Sequence, residues 1–178
     1  MPVLLLIVVF VPMLVEARRA ARNERAQRQR GGVEPPGDVY ALMRVAYPGA
    51  FLLMIGEGLW RHAWDEPRLT MPTMLPMLLV GLALFVAAKA LKWWAIVTLG
   101  PCWTFRVVVV PGAPRVVGGP YAYLRHPNYV AVVLELAAVA LMSGARVSGP
   151  VATLAFGVLM MKRMSVEERA LRQAQGQR

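Results

Sequence analysis

Apolar residues of the chain fall into runs that are separated by short polar or basic segments. The runs cover about residues 3–15, 39–60, 71–91, 129–142 and 147–161. A transmembrane helix needs about 20 predominantly apolar residues, so the longer runs can cross a bilayer and the shorter ones would be tilted or partly inserted. We therefore predict an all-α integral membrane protein with about five transmembrane helices.

The first run is followed at once by the basic stretch RRAARNERAQRQR, residues 18–30. A cleavable signal peptide carries its charge before the apolar run, so this order favours an uncleaved first span. Segment 17–38 ends in GGVEPPGD, which is typical of a flexible loop. We expect this segment to be a solvated loop close to anionic lipid headgroups.

Charge is distributed unevenly around these runs. The net charge is +10, and 57% of the residues are hydrophobic. With the amino terminus outside, segments 16–45, 89–125 and 162–178 would be cytoplasmic and hold 17 of the 20 Lys and Arg residues. Short cytoplasmic loops of membrane proteins are rich in these residues. The distribution predicts a multi-pass membrane protein with these segments in the cytoplasm, and it accounts for the basic charge without a nucleic-acid partner.

Residues 92–125 mix aromatic and apolar side chains with turn residues, in contrast to a solvated linker. Trp93, Trp94 and Trp103 are expected at the membrane interface, where indole rings are favoured. FRVVVV and the following PGAPRVV could form a short extended hairpin. We expect this loop to lie against the cytoplasmic ends of the spans.

Few residues are suited to a metal or nucleotide site. The chain has one cysteine, Cys102, and two histidines, His62 and His126, so no disulfide, structural zinc or other metal site is predicted. Glu57 lies in IGEGLW, whose Gly-x-Gly lacks the strand–turn–helix context of a nucleotide-binding loop. Serine hydrolase and phosphate-loop motifs are absent from the sequence.

The entrance of the fourth run carries Arg125, His126 and Pro127. Proline is favoured in the first turn of a helix, so the helix is predicted to begin at about Pro127. Its free amides and the positive end of its dipole, next to the Arg125 guanidinium, suit a carboxylate or phosphate. The alternative is that Arg125 only anchors the span to lipid headgroups.

Glu135 lies inside the same run, eight residues beyond Pro127 and so about 12 Å into the helix. An ionisable residue at this depth usually faces a bundle interior or wet cavity and is a functional candidate. Asn128 precedes it by seven positions and lies on roughly the same face. A packing contact between Glu135 and a Trp or Tyr is the alternative.

The tail after the fifth run holds Arg163, Glu167 and Glu168. Arg163 and Glu167 are spaced as an i, i+4 surface ion pair. The short connection MSGARVSGP predicts that the fourth and fifth runs form an antiparallel hairpin. This hairpin would bring the acidic tail and the Arg125 cluster to the same membrane face.

Three segments of this chain resemble the isoprenylcysteine carboxyl methyltransferase family: LKWWAIVTLGPCW, VVGGPYAYLRHPNY and RMSVEERAL. They cover about residues 90–171, and the order Gly-Pro-Tyr, Arg-His-Pro-x-Tyr, Glu-Glu is fairly specific. The resemblance implies a single polytopic domain over 1–178, with amino-terminal spans in 1–88 and the cofactor-binding part in 89–171. It also implies S-adenosylmethionine as methyl donor, bound on the cytoplasmic side, and a lipid-like acceptor from the bilayer. The resemblance is to short, bacterial-type members, which implies an inner or plasma membrane location.

The resemblance assigns the site residues. Those matching the cofactor motifs are Gly119, Pro120, Tyr121, Arg125, His126, Pro127, Asn128, Tyr129, Glu167 and Glu168. Glu135 and Arg163 are the expected catalytic residues, with Glu135 as a general base if the acceptor is a hydroxyl and burial raises its pKa. Many family members carry a histidine where this chain has PGAPRVV, so we expect the pocket to be closed differently.

The leading interpretation is an O-methyltransferase acting on an isoprenylcysteine-like carboxylate or on a phenolic or pyrone lipid hydroxyl. A phospholipid N-methyltransferase, whose relatives also use a carboxyl-terminal acidic pair, is the second. A non-catalytic membrane scaffold or small transporter that kept the fold is the third. Binding of S-adenosylmethionine separates the third from the first two.

Overall fold

A computed structural model describes residues 2–64, 71–113 and 116–176, without the side chains of 71–74 and 174–176. The described residues form five α-helices: α1 (Pro2–Gln29), α2 (Tyr40–Trp64), α3 (Met71–Leu99), α4 (Pro127–Ser143) and α5 (Ser148–Gly176). No strand occurs within these ranges, which confirms the all-helical prediction.

Two helical stretches are long and apolar enough to cross a membrane, Tyr40–Trp64 and Leu75–Cys102. In each, only 22% of the most apolar 18-residue window is buried within the protein. The core helix of a soluble protein is mostly buried, so this exposed apolar surface is better matched to lipid. α4 is a shorter apolar helix, and five transmembrane helices stay a prediction.

The apolar core includes residues of all five helices, most of them from α2, α4 and α5, and α4 also packs along α3. Phe51 and Met54 on α2 meet Leu136 on α4 and Phe156 on α5. α4 ends at Ser143 and is capped by Gly144, whose φ of +69° is the left-handed conformation that glycine adopts easily at a helix end. The chain then turns within four residues into α5, so the predicted α4–α5 hairpin is confirmed.

α1 extends beyond the predicted first span, so the expectation of a flexible loop over 17–38 is wrong for its first half. Residues 17–29 are helical because Ala, Arg, Gln and Glu are strong helix formers. This extension is also held by tertiary contacts: Asn23 donates to the carbonyls of Gly100, at 3.0 Å, and Trp103, at 2.8 Å. The turn after α3 is therefore fixed against α1.

The segment after α3 also differs from its prediction. α3 continues to Leu99, so Trp93 and Trp94 are helical rather than in a loop. Trp103 is only 2% exposed and packs into the protein, so its indole does not face lipid, and the interfacial position of this segment stays a prediction. The extended hairpin is wrong for its described residues, because Val109 pairs with Val33 in a single antiparallel bridge. Residues 114 and 115 of that hairpin lie outside the described residues.

Candidate active site

A cavity of about 880 Å³ opens at the end of the protein where α4 begins. Its walls come from the segment after α3, from the loop before α4 and from the last third of α5. Residues of Val107–Val110 form a largely apolar wall, while Arg125, His126, Glu167 and Glu168 supply charged and polar groups. The predicted convergence of the basic and acidic clusters is therefore confirmed.

The Gly-Pro-Tyr segment forms a 3₁₀ turn over Gly119–Ala122. Gly119 has φ +57°, and a Cβ there would lie 2.5 Å from the Thr98 hydroxyl oxygen, so only glycine lets the turn seat on α3. Pro120 is buried, and its carbonyl accepts the Leu124 amide at 2.9 Å. Tyr121 lines the cavity, and its pKa is raised by burial and by the Glu167 carboxylate.

The first turn of α4 carries the Arg-His-Pro motif. The helix begins at Pro127, as predicted. The His126 ring stacks on Tyr129 with centroids 5.3 Å apart, and its Nε2 atom lies 3.4 Å from a Glu168 oxygen. Arg125 is exposed on the cavity wall and makes no hydrogen bond or ion pair with any residue that the structure describes. Its guanidinium can therefore meet an anion in the cavity.

Arg163 is buried at the base of the cavity, so the expectation of a surface ion pair with Glu167 is wrong. Only 4% of the residue is exposed. Its Nε donates to the Tyr129 hydroxyl oxygen at 3.0 Å, and that hydroxyl donates to a Glu167 oxygen. Another guanidinium nitrogen donates to the Phe105 carbonyl. Arg163 thus connects α4, α5 and the segment after α3.

Asp38 and Trp103 complete this connection, and neither was predicted as a site residue. Asp38 lies 3.7 Å from the Arg163 guanidinium and accepts the Val107 amide at 2.9 Å. The Trp103 indole lies 3.4 Å from the Asn128 side-chain oxygen. The available signal for Asp38 was its position just before α2, where a carboxylate caps helix amides.

Glu135 is not among the described residues that line the cavity. It belongs to a buried cluster with Glu16 on α1 and with Lys89 and Lys92 on α3, in which each lysine lies within 3.3 Å of both carboxylates. The Tyr47 hydroxyl donates to Glu135 at 2.7 Å. Glu135 faces the bundle interior, as expected, and it also contacts a tyrosine, as in the alternative interpretation. Its role as a base stays a prediction. The sequence signal for this cluster was Lys89 and Lys92, which lie one helical turn apart at the end of an apolar run.

The cavity suits a small molecule that carries opposite charges and an apolar part. Arg125 presents an uncompensated cation, and Glu167 and Glu168 present carboxylates across the same space. Within the described ranges, His, Cys, Asp and Glu form no group of three or more that could hold a metal ion. The arrangement can therefore bind and orient a zwitterion by charge complementarity.

The fold and the cavity together define a helical membrane protein with a polar binding site at one end of its helices. The chain belongs to the Isoprenylcysteine carboxyl methyltransferase (ICMT) family, whose family model matches residues 79–173. Membership implies a methyltransferase associated with membranes. The matched region includes every predicted cofactor-binding residue, whereas Glu16, Asp38 and Tyr47 lie outside it.

One relative is similar over nearly its whole length. "Uncharacterized protein YpbQ" from Bacillus subtilis (strain 168) is 28% identical over 170 residues, which is 96% of each chain. The alignment therefore covers most of the first two helices, which lie outside the family model. No solved structure matches the chain significantly.

Proposed function

We propose that this protein is an S-adenosylmethionine-dependent O-methyltransferase acting on a hydrophobic acceptor that partitions into the membrane. The observation that carries the proposal is the convergence of Arg125, His126 and Tyr129 with Glu167 and Glu168 on one cavity. These are the positions that resemble the family's cofactor motif. The family is known to use S-adenosylmethionine, and its donor chemistry matches the charges found here.

The residues present fit the donor group by group. S-adenosylmethionine has a carboxylate, an ammonium, a ribose diol and an adenine. The carboxylate would be held by Arg125 and the positive end of the α4 dipole. Glu167 or Glu168 would hold the ammonium or the diol, because carboxylates accept charge-assisted hydrogen bonds from both groups. The turn over Gly119–Ala122 shapes the adjacent wall.

When bound, the donor supplies an electrophilic methyl group. Such a transfer depends mainly on alignment and on exclusion of water, which are the contributions that this chain can make. Arg163 fixes the Tyr129 hydroxyl, and this hydroxyl fixes the Glu167 carboxylate. The apolar wall at Val107–Val110 keeps water from the reacting oxygen and accommodates the apolar part of an acceptor.

The acceptor would be an isoprenylcysteine-like carboxylate or a phenolic or pyrone lipid hydroxyl. Exposed apolar side chains on the flanks of α2 and α3 support delivery from the bilayer. The concentration of Lys and Arg in segments 16–45, 89–125 and 162–178 supports a cytoplasmic cavity and a multi-pass topology. With a hydroxyl acceptor, Glu135 stays a candidate base.

Donor binding and methyl transfer are tested with purified protein in lipid nanodiscs. Binding of S-adenosylmethionine is measured by calorimetry, and methyl transfer is followed with labelled donor and a native lipid extract by mass spectrometry of the labelled product. Arg125→Ala should weaken donor binding by about tenfold, since it removes a charge-assisted contact. Arg44→Ala, which removes an exposed arginine on α2, is the matched control.

Absence of donor binding in a folded wild-type sample would sink the proposal and favour a scaffold or transporter. Donor binding together with label on a phospholipid amine would favour an N-methyltransferase. Label on a lipid carboxylate or hydroxyl identifies the acceptor class.

A further inference from the structure

The buried cluster of Glu16, Lys89, Lys92 and Glu135 has no assigned role, and we refer to it as the ion quartet. Lys89 Nζ lies 2.8 Å from Glu16 and 3.1 Å from Glu135. Lys92 Nζ lies 2.7 Å from Glu16 and 3.3 Å from Glu135. Two cations and two anions thus compensate one another within a buried site. The four side chains connect α1, α3 and α4. None of them can change its partner without leaving a buried charge unpaired.

Buried ion pairs are a poor source of stability compared with apolar side chains, and their best-attested use is to specify register. A methionine or leucine at these positions could fill the same space. The ion quartet is therefore better suited to fixing the relative positions of α1, α3 and α4 along their axes than to strengthening the core.

The same three helices position parts of the cavity wall. On each helix, the residue that does so lies at nearly the same axial distance from the ion quartet. On α1, Asn23 lies seven residues beyond Glu16 and holds the turn after α3. On α4, Asn128 lies seven residues before Glu135 and contacts Trp103. Both separations are two helical turns, about 10 Å.

α3 makes the third connection. Thr98 lies six residues beyond Lys92, at about 9 Å along the helix, and forms the seat on which Gly119 rests. A shift of one helix along its axis at the ion quartet would therefore move one wall of the cavity relative to the other two.

We infer that the ion quartet is a positioning device that sets the axial register of α1, α3 and α4, and that Glu135 acts on the reaction through Lys89 and Lys92 rather than by touching the acceptor. This inference rests on the proposed function for its consequence in donor binding. Its structural content stands independently, because Cys102 reports on the turn after α3. Cys102 is the single cysteine of the chain, and it is exposed on the cavity wall.

The test compares two charge-removing variants at opposite ends of the ion quartet, Glu16→Gln and Glu135→Gln. Each is combined with Lys89→Met, which removes one cation and restores neutrality. The alkylation rate of Cys102 is measured without donor, and the donor Kd is measured by calorimetry. Glu57→Gln, which removes a carboxylate from a different helix contact, is the control.

Positioning predicts that both single variants change the Cys102 alkylation rate in the same direction and raise the donor Kd by similar factors, about tenfold or more. Adding Lys89→Met should restore most of the wild-type value in each case. If a single variant cannot be purified folded, the neutral double variant still has to show a near wild-type Cys102 alkylation rate.

A general-base role for Glu135 predicts a different pattern. Glu135→Gln would then lower kcat and remove one ionisation from the pH–rate profile, with donor Kd and Cys102 reactivity unchanged and with no rescue by Lys89→Met. That result, or an unaffected Cys102 rate in Glu16→Gln, would overturn the inference. If Cys102 responds as expected while the wild-type protein binds no donor, the register role holds and the proposed function fails.

Discussion

Arg163 on α5 and Tyr129 on α4 are joined by a hydrogen bond of 3.0 Å from the guanidinium Nε to the phenol oxygen. The same phenol donates to Glu167, so the basic and acidic parts of the cavity meet at one hydroxyl group. This relationship makes the hairpin of α4 and α5 a single binding unit. It also gives a direct test of the proposed donor site.

Tyr129→Phe should weaken S-adenosylmethionine binding by about fivefold to thirtyfold, because it leaves Arg163 and Glu167 without their shared partner while keeping the stacked ring. The affinity is measured by calorimetry. Tyr123→Phe is the matched control, because Tyr123 is 82% exposed. Equal donor affinities in the two variants would argue against a role for the hydroxyl.

Gly119→Ala should distort the turn over Gly119–Ala122, because the new Cβ would approach the Thr98 side chain at a positive φ. A backbone position of this kind costs about 1–3 kcal/mol when a side chain is forced into it. The thermal unfolding temperature and the donor affinity should both fall. Gly118→Ala should be nearly silent, since Gly118 has φ −88° and open space at its Cβ.

A second comparison separates the collision from the backbone strain. Thr98→Ala in the Gly119→Ala background should recover part of the loss, because it removes the atoms that collide but leaves φ at +57°. Full recovery would mean that backbone conformation contributes nothing at this position.

Glu57 is expected to support the fold without affecting the donor site. Its carboxylate accepts the Ser148 hydroxyl at 2.6 Å and the Ser148 amide at 2.7 Å, where α5 begins. Glu57→Ala should lower stability by about 1–3 kcal/mol because those donors lose their acceptor. Thermal unfolding measures the loss, and donor affinity should match that of the wild type. Arg146→Gln, at an exposed position in the same connection, is the control for stability.

Glu34 predicts a dependence of stability on pH. Burial alone would raise its pKa, but hydrogen bonds from Arg106 and Arg28 outweigh burial and hold the pKa below its ordinary value. The stabilising contribution of Glu34 is therefore complete above the unfolded-state pKa and is lost as the pH falls through the lowered folded-state value. The melting temperatures of the wild type and Glu34→Gln should differ at pH 7 and converge in acid. A difference that stays constant with pH would contradict this account.

Local signals predicted much of the site. Proline at the first helical position fixed the start of α4, and the short connection before α5 predicted the hairpin that brings Glu168 to His126. These features depend on neighbouring residues, so one sequence was sufficient to predict them.

Long-range contacts account for what the sequence did not predict. The polar half of α1 was predicted as a solvated loop because the hydrogen-bond acceptors of Asn23 and Gln27 lie more than 70 residues away in the sequence. Glu135 reads as a candidate base because its lysine partners lie on another helix. Arg163 was predicted as a surface residue because the residues that bury it, Phe105 and Asp38, lie outside α5.

The antiparallel bridge between Val33 and Val109 places the connection from α1 to α2 alongside the apolar wall of the cavity. An insertion or deletion in residues 30–38 would shift that wall without changing any of the Gly-Pro-Tyr, Arg-His-Pro or Glu-Glu residues. Homologues with identical motifs can thus differ in the shape of this cavity. Cavity size in such proteins should follow the length of this connection more closely than it follows the motifs.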